Sequence, residues 1–139
     1  MRYRTAYAIV IGAVVAADSA AAADDAPPLE AKMQCERAAE PGRVRCSVEV
    51  KPGAARTITW ADVAILQLPE FASALKGRIG PDDATAKDPS GFKWAFGLVA
   101  KRAGSGEARA RVRAVTCRAN GNGCIPQLID VRAMIDVGG

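Results

Sequence analysis

Period-two alternation is the feature that most narrows the folds open to this chain. In RVRCSVEV, residues 43–50, Val44, Cys46, Val48 and Val50 fall on one side of an extended backbone, and Arg43, Arg45, Ser47 and Glu49 on the other. The pattern returns in FKWAFGLVA, which groups Phe92, Trp94, Phe96 and Leu98. It returns again in ARARVRAV, where Ala108, Ala110, Val112 and Ala114 oppose Arg109, Arg111 and Arg113, and in LIDVRAMIDV, which aligns Ile129, Val131, Ala133, Ile135 and Val137. Side chains of a strand point to opposite faces in turn, so each segment reads as a strand with one dry and one wet side. Three of the seven aromatic residues lie in FKWAFGLVA, which marks it as a central core strand.

The intervening stretches fit this reading. RTITW and DVAILQL form one or two strands with a kink at Ala61-Asp62, PEFASALKGRIGP has room for one short helical turn, and DDATAKDPSG is a polar loop rich in turn formers. Six to eight short strands with frequent turn signals and almost no helical period specify an all-β fold, an antiparallel immunoglobulin-like β-sandwich. The Trp packed on an inter-sheet disulfide that marks antibody domains is not evident, so the likeness is one of architecture.

The first residues address the compartment. Arg2 and Arg4 precede the apolar run AYAIVIGAVVAA and the small-residue tract DSAAAA, the order of a secretory signal peptide. We expect residues 1–23 to be this signal, cleaved near Ala23, residues 24–31 to be a flexible leader, and residues 32–139 to be the sandwich domain. The apolar run falls short of the roughly 20 residues that cross a bilayer, and no later segment approaches it, so the mature chain has no expected transmembrane segment. A lipid anchor is not expected, because Cys35, the first cysteine, lies well past the cleavage point. Of 19 basic and 15 acidic side chains, Arg2, Arg4 and Asp18 leave with the signal, and the net charge becomes +3. The expected location is periplasmic or secreted.

Four cysteines in an exported chain imply two disulfides. Facing residues of an antiparallel hairpin are equidistant from its turn, and this restricts the pairing. Cys117 and Cys124 centre on the bond between Asn120 and Gly121, an Asn-Gly pair of the kind that forms two-residue type I′ turns. Cys35 and Cys46 centre on Glu40-Pro41, within AAEPGR, another turn-forming stretch. Local bridges Cys35–Cys46 and Cys117–Cys124 follow. Cys117 shares parity with Arg109, Arg111 and Arg113, which places it on the wet face unless a bulge intervenes.

Histidine is absent, which removes Ser-His-Asp and Cys-His nucleophile pairs and imidazole metal sites. The cysteine spacings do not suit structural zinc, and Asp82, Asp83 and Asp88 lack the alternate-residue spacing of calcium loops. We expect no metal and no cofactor. Arg109, Arg111 and Arg113, with Lys101 and Arg102 before them and Arg43 and Arg45 on another strand, form a candidate basic stripe for a polyanion such as nucleic acid or an anionic lipid headgroup. No aromatic residue is expected on that face for bases to stack on. Trp60 and Trp94 read as core residues.

The segment VTCRANGNGCIPQ resembles the redox segment of the immunoglobulin-like periplasmic N-terminal domain of the transmembrane thiol:disulfide interchange reductase family. In that family two cysteines bracket a short polar loop near the end of a sandwich domain. The resemblance implies that Cys117 and Cys124 accept electrons from a membrane partner and pass them to exported proteins. It covers about 20 residues, with six rather than five residues between the cysteines and one proline, Pro126, where a pair is common. Only Arg118 and Arg113 stand near enough in sequence to lower a thiol pKa. The leading expectation is therefore a non-enzymatic exported module with a protein partner in the periplasm or cell envelope, both bridges being staples. The thiol:disulfide exchange domain is the alternative.

Overall fold

The computed structural model describes residues 26–139. The expected signal peptide and its cleavage point lie outside the described residues, as does the start of the leader. Nine strands follow in chain order: β1 (Glu30–Cys35), β2 (Gly42–Lys51), β3 (Arg56–Gln67), β4 (Ala72–Ala74), β5 (Arg78–Ile79), β6 (Ala86–Asp88), β7 (Gly91–Ala100), β8 (Gly104–Arg118) and β9 (Ile125–Val137). Every ladder between them is antiparallel. They form two sheets. Sheet A runs β1-β2-β7-β4, with β6 also paired to β7, and sheet B runs β5-β3-β8-β9. The fold is the all-β, antiparallel immunoglobulin-like sandwich that the alternation specifies.

Each alternating segment delivers its apolar side to the space between the sheets. Val44, Cys46, Val48, Val50, Phe92, Trp94 and Leu98 enter from sheet A, and Ala108, Ala110, Val112, Ala114, Val131, Ile135 and Val137 from sheet B. Trp94 is fully buried, its indole Nε1 donates to the Gly80 carbonyl at 3.0 Å, and its ring lies 5.7 Å from that of Phe92. A buried indole N–H needs such an acceptor. Small alanines on β8, Ala108, Ala110 and Ala114, share one core cluster with this bulk.

Four local expectations are corrected. The helical turn expected within residues 69–81 is replaced by β4 and β5, and the 3-10 turn forms later, at Pro81–Asp83, where Pro81 fixes the first φ and Asp83 accepts from the Gly80 N–H. β3 is one strand, and its two irregularities lie between Ile58 and Trp60 and between Ile65 and Gln67, not at Ala61-Asp62; the first is the one that matters for Trp60. The extra residue between Ile58 and Trp60 shifts parity: Ile58 points inward before it, and Ala61 and Val63 point inward after it. Trp60 therefore turns outward and is 37% exposed, so it is not a core residue.

The fourth correction concerns the leader. β1 begins at Glu30, two residues before the expected boundary, and Leu29 is already buried. Two contacts fix the preceding segment: Gln127 Nε2 donates to the Pro27 carbonyl at 3.1 Å, and Pro27 sits where a side chain on Gly53 would be. Prolines at 27 and 28 keep the backbone extended without preventing it from docking.

Candidate functional site

Both disulfides form as the turn centres specify, Cys35–Cys46 and Cys117–Cys124. The β1–β2 register pairs Cys35 directly with Cys46, and every β8–β9 pair centres on the Asn120-Gly121 bond. The turn itself is wider than two residues. The ladder ends at Thr116 and Ile125, the Gly121 N–H donates to the Arg118 carbonyl, and the Asn120 carboxamide oxygen accepts from the Asn122 N–H at 2.9 Å. Positive φ falls on Gly121 and Gly123, and Asn120 is not among the positive-φ residues. The side-chain bond of Asn120 holds the backbone in an Asx turn, which takes the place of the type I′ geometry.

Cys117 keeps the outward parity of the arginines, and no bulge interrupts β8 in its ladder with β9. It is nevertheless only 2% exposed. Its sulfur lies 3.9 Å from the Thr59 hydroxyl on the β3 bulge, while Cys124 stands exposed at the tip. The bulge that turns Trp60 outward thus also shields one sulfur of this bridge.

Below the tip, Arg56 ties β3 to β8 and to the loop that follows it. Its Nε donates to Thr116 Oγ1 at 3.0 Å, and its Nη2 donates to the carbonyls of Thr116 and Gly123 at 2.8 and 2.6 Å. Thr116, fully buried, donates a hydrogen bond from its own hydroxyl to Gln127 Oε1 at 2.7 Å. The chain Arg56–Thr116–Gln127–Pro27 ties the loop, β8, β9 and the N-terminal segment together. Nothing in the alternation pattern announces it. Beside it opens a hollow of about 610 Å³ lined by Pro27, Ala55, Arg56, Asn120, Gly123 and Ile125 among others.

The arginine comb lies on the outer face of sheet B, and Arg43 and Arg45 lie on the outer face of sheet A, the opposite side of the sandwich. The seven cations therefore do not form one stripe. The comb is also paired. Arg111 grips Asp130 with two bonds of 2.7 and 3.1 Å, and Arg109 approaches the same carboxylate at 3.9 Å. Arg113 donates to both oxygens of Asp62, Nε at 2.8 Å, and Arg78 lies 3.9 Å from that carboxylate. Hydrogen bonding to these carboxylates raises the guanidinium pKa of both Arg111 and Arg113, and the Arg111 bond holds the Asp130 carboxyl below its ordinary range. Asp62 is buried beneath its partners. Trp60 joins them, with the Arg113 guanidinium 5.5 Å from its ring centre, so an aromatic residue does lie on this face.

The loop acids are also engaged separately. Asp83 meets Lys76 at 2.7 Å, Asp82 lies 3.9 Å from Lys87, and Asp88 accepts from the Ser90 N–H. Among the described residues no three His, Cys, Asp or Glu side chains converge as metal ligands, and no helix is long and apolar enough to cross a membrane.

No protein-family model and no curated protein matches the chain. Solved structures resemble it at low identity. The bacterial hydrophobin BslA is 8% identical, with 80% of this chain and 94% of that one covered and a TM-score of 0.38. The VesB protease of Vibrio cholerae is 14% identical over 78% of this chain and 31% of its own, at a TM-score of 0.38. A chain from the AAF fimbriae of enteroaggregative Escherichia coli, a structure described for fibronectin binding and biofilm formation, is 10% identical over 78% and 98%, at 0.36. At these scores and identities the likenesses carry no activity or partner over to this chain.

Proposed function

We propose that the chain is an exported, non-enzymatic β-sandwich that acts as a binding or structural module of the periplasm or cell envelope, with both disulfides as staples. One observation carries the reading: each bridge closes within one hairpin, Cys35–Cys46 between β1 and β2 and Cys117–Cys124 from β8 to the loop before β9, and each has one cysteine packed out of solvent, Cys46 at 1% and Cys117 at 2% exposure. The packed sulfurs of Cys46 and Cys117 are closed to an external thiolate, which must approach along the S–S axis, so attack is confined to the Cys35 and Cys124 sides of the bridges. The export signal read in residues 1–23 agrees with the oxidising compartment that two disulfides require.

The second reading is a thiol:disulfide exchange domain using Cys117 and Cys124. It is favoured by the exposure of Cys124 at the hairpin tip. A glutathione or dithiothreitol redox titration of the mature protein, followed by mass analysis of each cysteine pair, separates the two. The staple reading expects both bridges to be reduced only below about −300 mV. A Cys117–Cys124 potential in the range of about −270 to −120 mV, where exchange proteins work, would replace it with the second reading.

A further inference from the structure

The two outer faces of the sandwich differ in the kind of cation they carry. Sheet A shows Lys32, Lys51 and Lys93 gathered around Glu49, together with Arg43 and Arg45. Sheet B has none of the chain's six lysines and instead shows Arg78, Arg109, Arg111, Arg113 and Arg132. The same face holds Trp60, Leu66, Leu128 and Met134, four of the five large apolar side chains exposed among the described residues, at 37, 45, 64 and 59%. Arginine, tryptophan and methionine enriched and lysine depleted is the composition of a protein interface rather than of a solvated surface. Guanidinium groups already clamped on carboxylates lose little freedom on docking.

We propose that the outer face of sheet B is a homodimer interface, covered by the same face of a second copy of this chain. The inference rests on the reading of the chain as a binding or structural module and names its partner. Sign alternates across the face: Asp130 sits between Arg109 and Arg111, Asp62 between Arg113 and Arg78, and Glu107 beside Arg132 at 3.8 Å. Alternating charge lets a surface meet its own copy, as a two-fold interface demands, whereas a single-signed surface repels itself. Three strands about 4.8 Å apart and about 12 residues long at about 3.3 Å each give a face on the order of 600 Å² in projection. A standard interface takes about 800 Å² of accessible surface per partner, which a corrugated face of this outline supplies.

The test is sedimentation velocity on the disulfide-intact mature protein across a concentration series, with Leu128→Lys and Met134→Lys as interface variants and Leu75→Lys, exposed elsewhere, as the control. All three side chains are more than half exposed, so the monomer fold, checked by circular dichroism and melting, should not change. We expect a closed dimer with a Kd in the micromolar range, weakened at least about tenfold by each interface variant and unchanged by the control. A protein that stays monomeric, open-ended oligomers, or equal weakening by Leu75→Lys would each overturn the interface. None of these outcomes bears on the staple reading, which stands or falls on the redox titration.

Discussion

Removing the Cys117–Cys124 bridge tests whether it acts as a staple, and the structure sets the expected size of the effect. In the double variant Cys117→Ala, Cys124→Ala, the native hairpin should persist. Arg56 still holds the Thr116 and Gly123 carbonyls, the Asn120 side chain still closes its turn, and the β8–β9 ladder runs on from Thr116 and Ile125. The loss then falls on the denatured state, which gains the freedom of an uncrosslinked loop. For the seven-residue separation the chain-entropy relation gives about 2.5 kcal/mol at 25 °C. With an unfolding entropy of about 2.1 cal/mol/K per residue, the 114 described residues convert this to a fall in Tm of roughly 10 °C. Urea unfolding of both proteins under non-reducing conditions measures the free energy, and calorimetry measures the midpoint. A loss below about 0.5 kcal/mol would refute the reasoning, because the denatured hairpin would then be closed without its bridge.

Three further outcomes are expected. Thr116→Val deletes the hydroxyl between Arg56 and Gln127 while keeping the shape, and should cost about 1 to 3 kcal/mol in urea unfolding, with Thr116→Ser restoring most of it. Trp94→Ala empties the core and should cost about 3 to 5 kcal/mol, whereas Trp60→Ala should cost less than about half as much; in single-tryptophan variants, acrylamide should quench Trp60 and spare Trp94. Asp130 has a folded pKa depressed by its bond to Arg111, so its contribution is present above the unfolded value of about 3.9 and is lost as pH falls through the folded pKa. Melting curves taken down that window should show a shallower acid decline for Asp130→Asn than for the wild-type protein, and equal slopes would remove the assignment.

The inward faces and the register of both hairpins were legible because each rests on a strict period, whereas the expected six to eight strands fell short of the nine found, since short β6 at Ala86–Asp88 lies in the stretch read as a polar loop. Alternation places Val44 through Val50 with no knowledge of what they pack against, and the separation between facing cysteines locates a turn centre to within one bond. The same strictness explains the misreading of Trp60. One residue inserted between Ile58 and Trp60 reverses the parity of the residues that follow as far as Ile65, and the only trace in RTITWADVAI is that the apolar positions change from even at Ile58 to odd at Ala61 and Val63. The ion pairs of the arginine comb were out of reach for another reason. Asp62 and Asp130 lie 51 and 19 residues from Arg113 and Arg111, and only the strand order of sheet B brings them together. The anchored residues 26–29 were missed because prolines and acids resemble a linker, whereas the contacts that hold Pro27 come from Gln127 and Gly53.

Both covalent links lie inside single hairpins, with Cys35 and Cys46 separated by 11 residues and Cys117 and Cys124 by 7. No sulfur crosses from one layer to the other, so side-chain packing and a few hydrogen bonds, among them the Ala38–Val137 bridge and the Trp94–Gly80 bond, keep the layers together. Pulled from its two ends, such a molecule would shear open and pay out almost its whole contour length, withholding little more than two small knots of backbone. Resistance to tension would therefore have to come from hydrogen-bonded ladders and the packed interior, and oxidation alone would not turn this sandwich into an inextensible link.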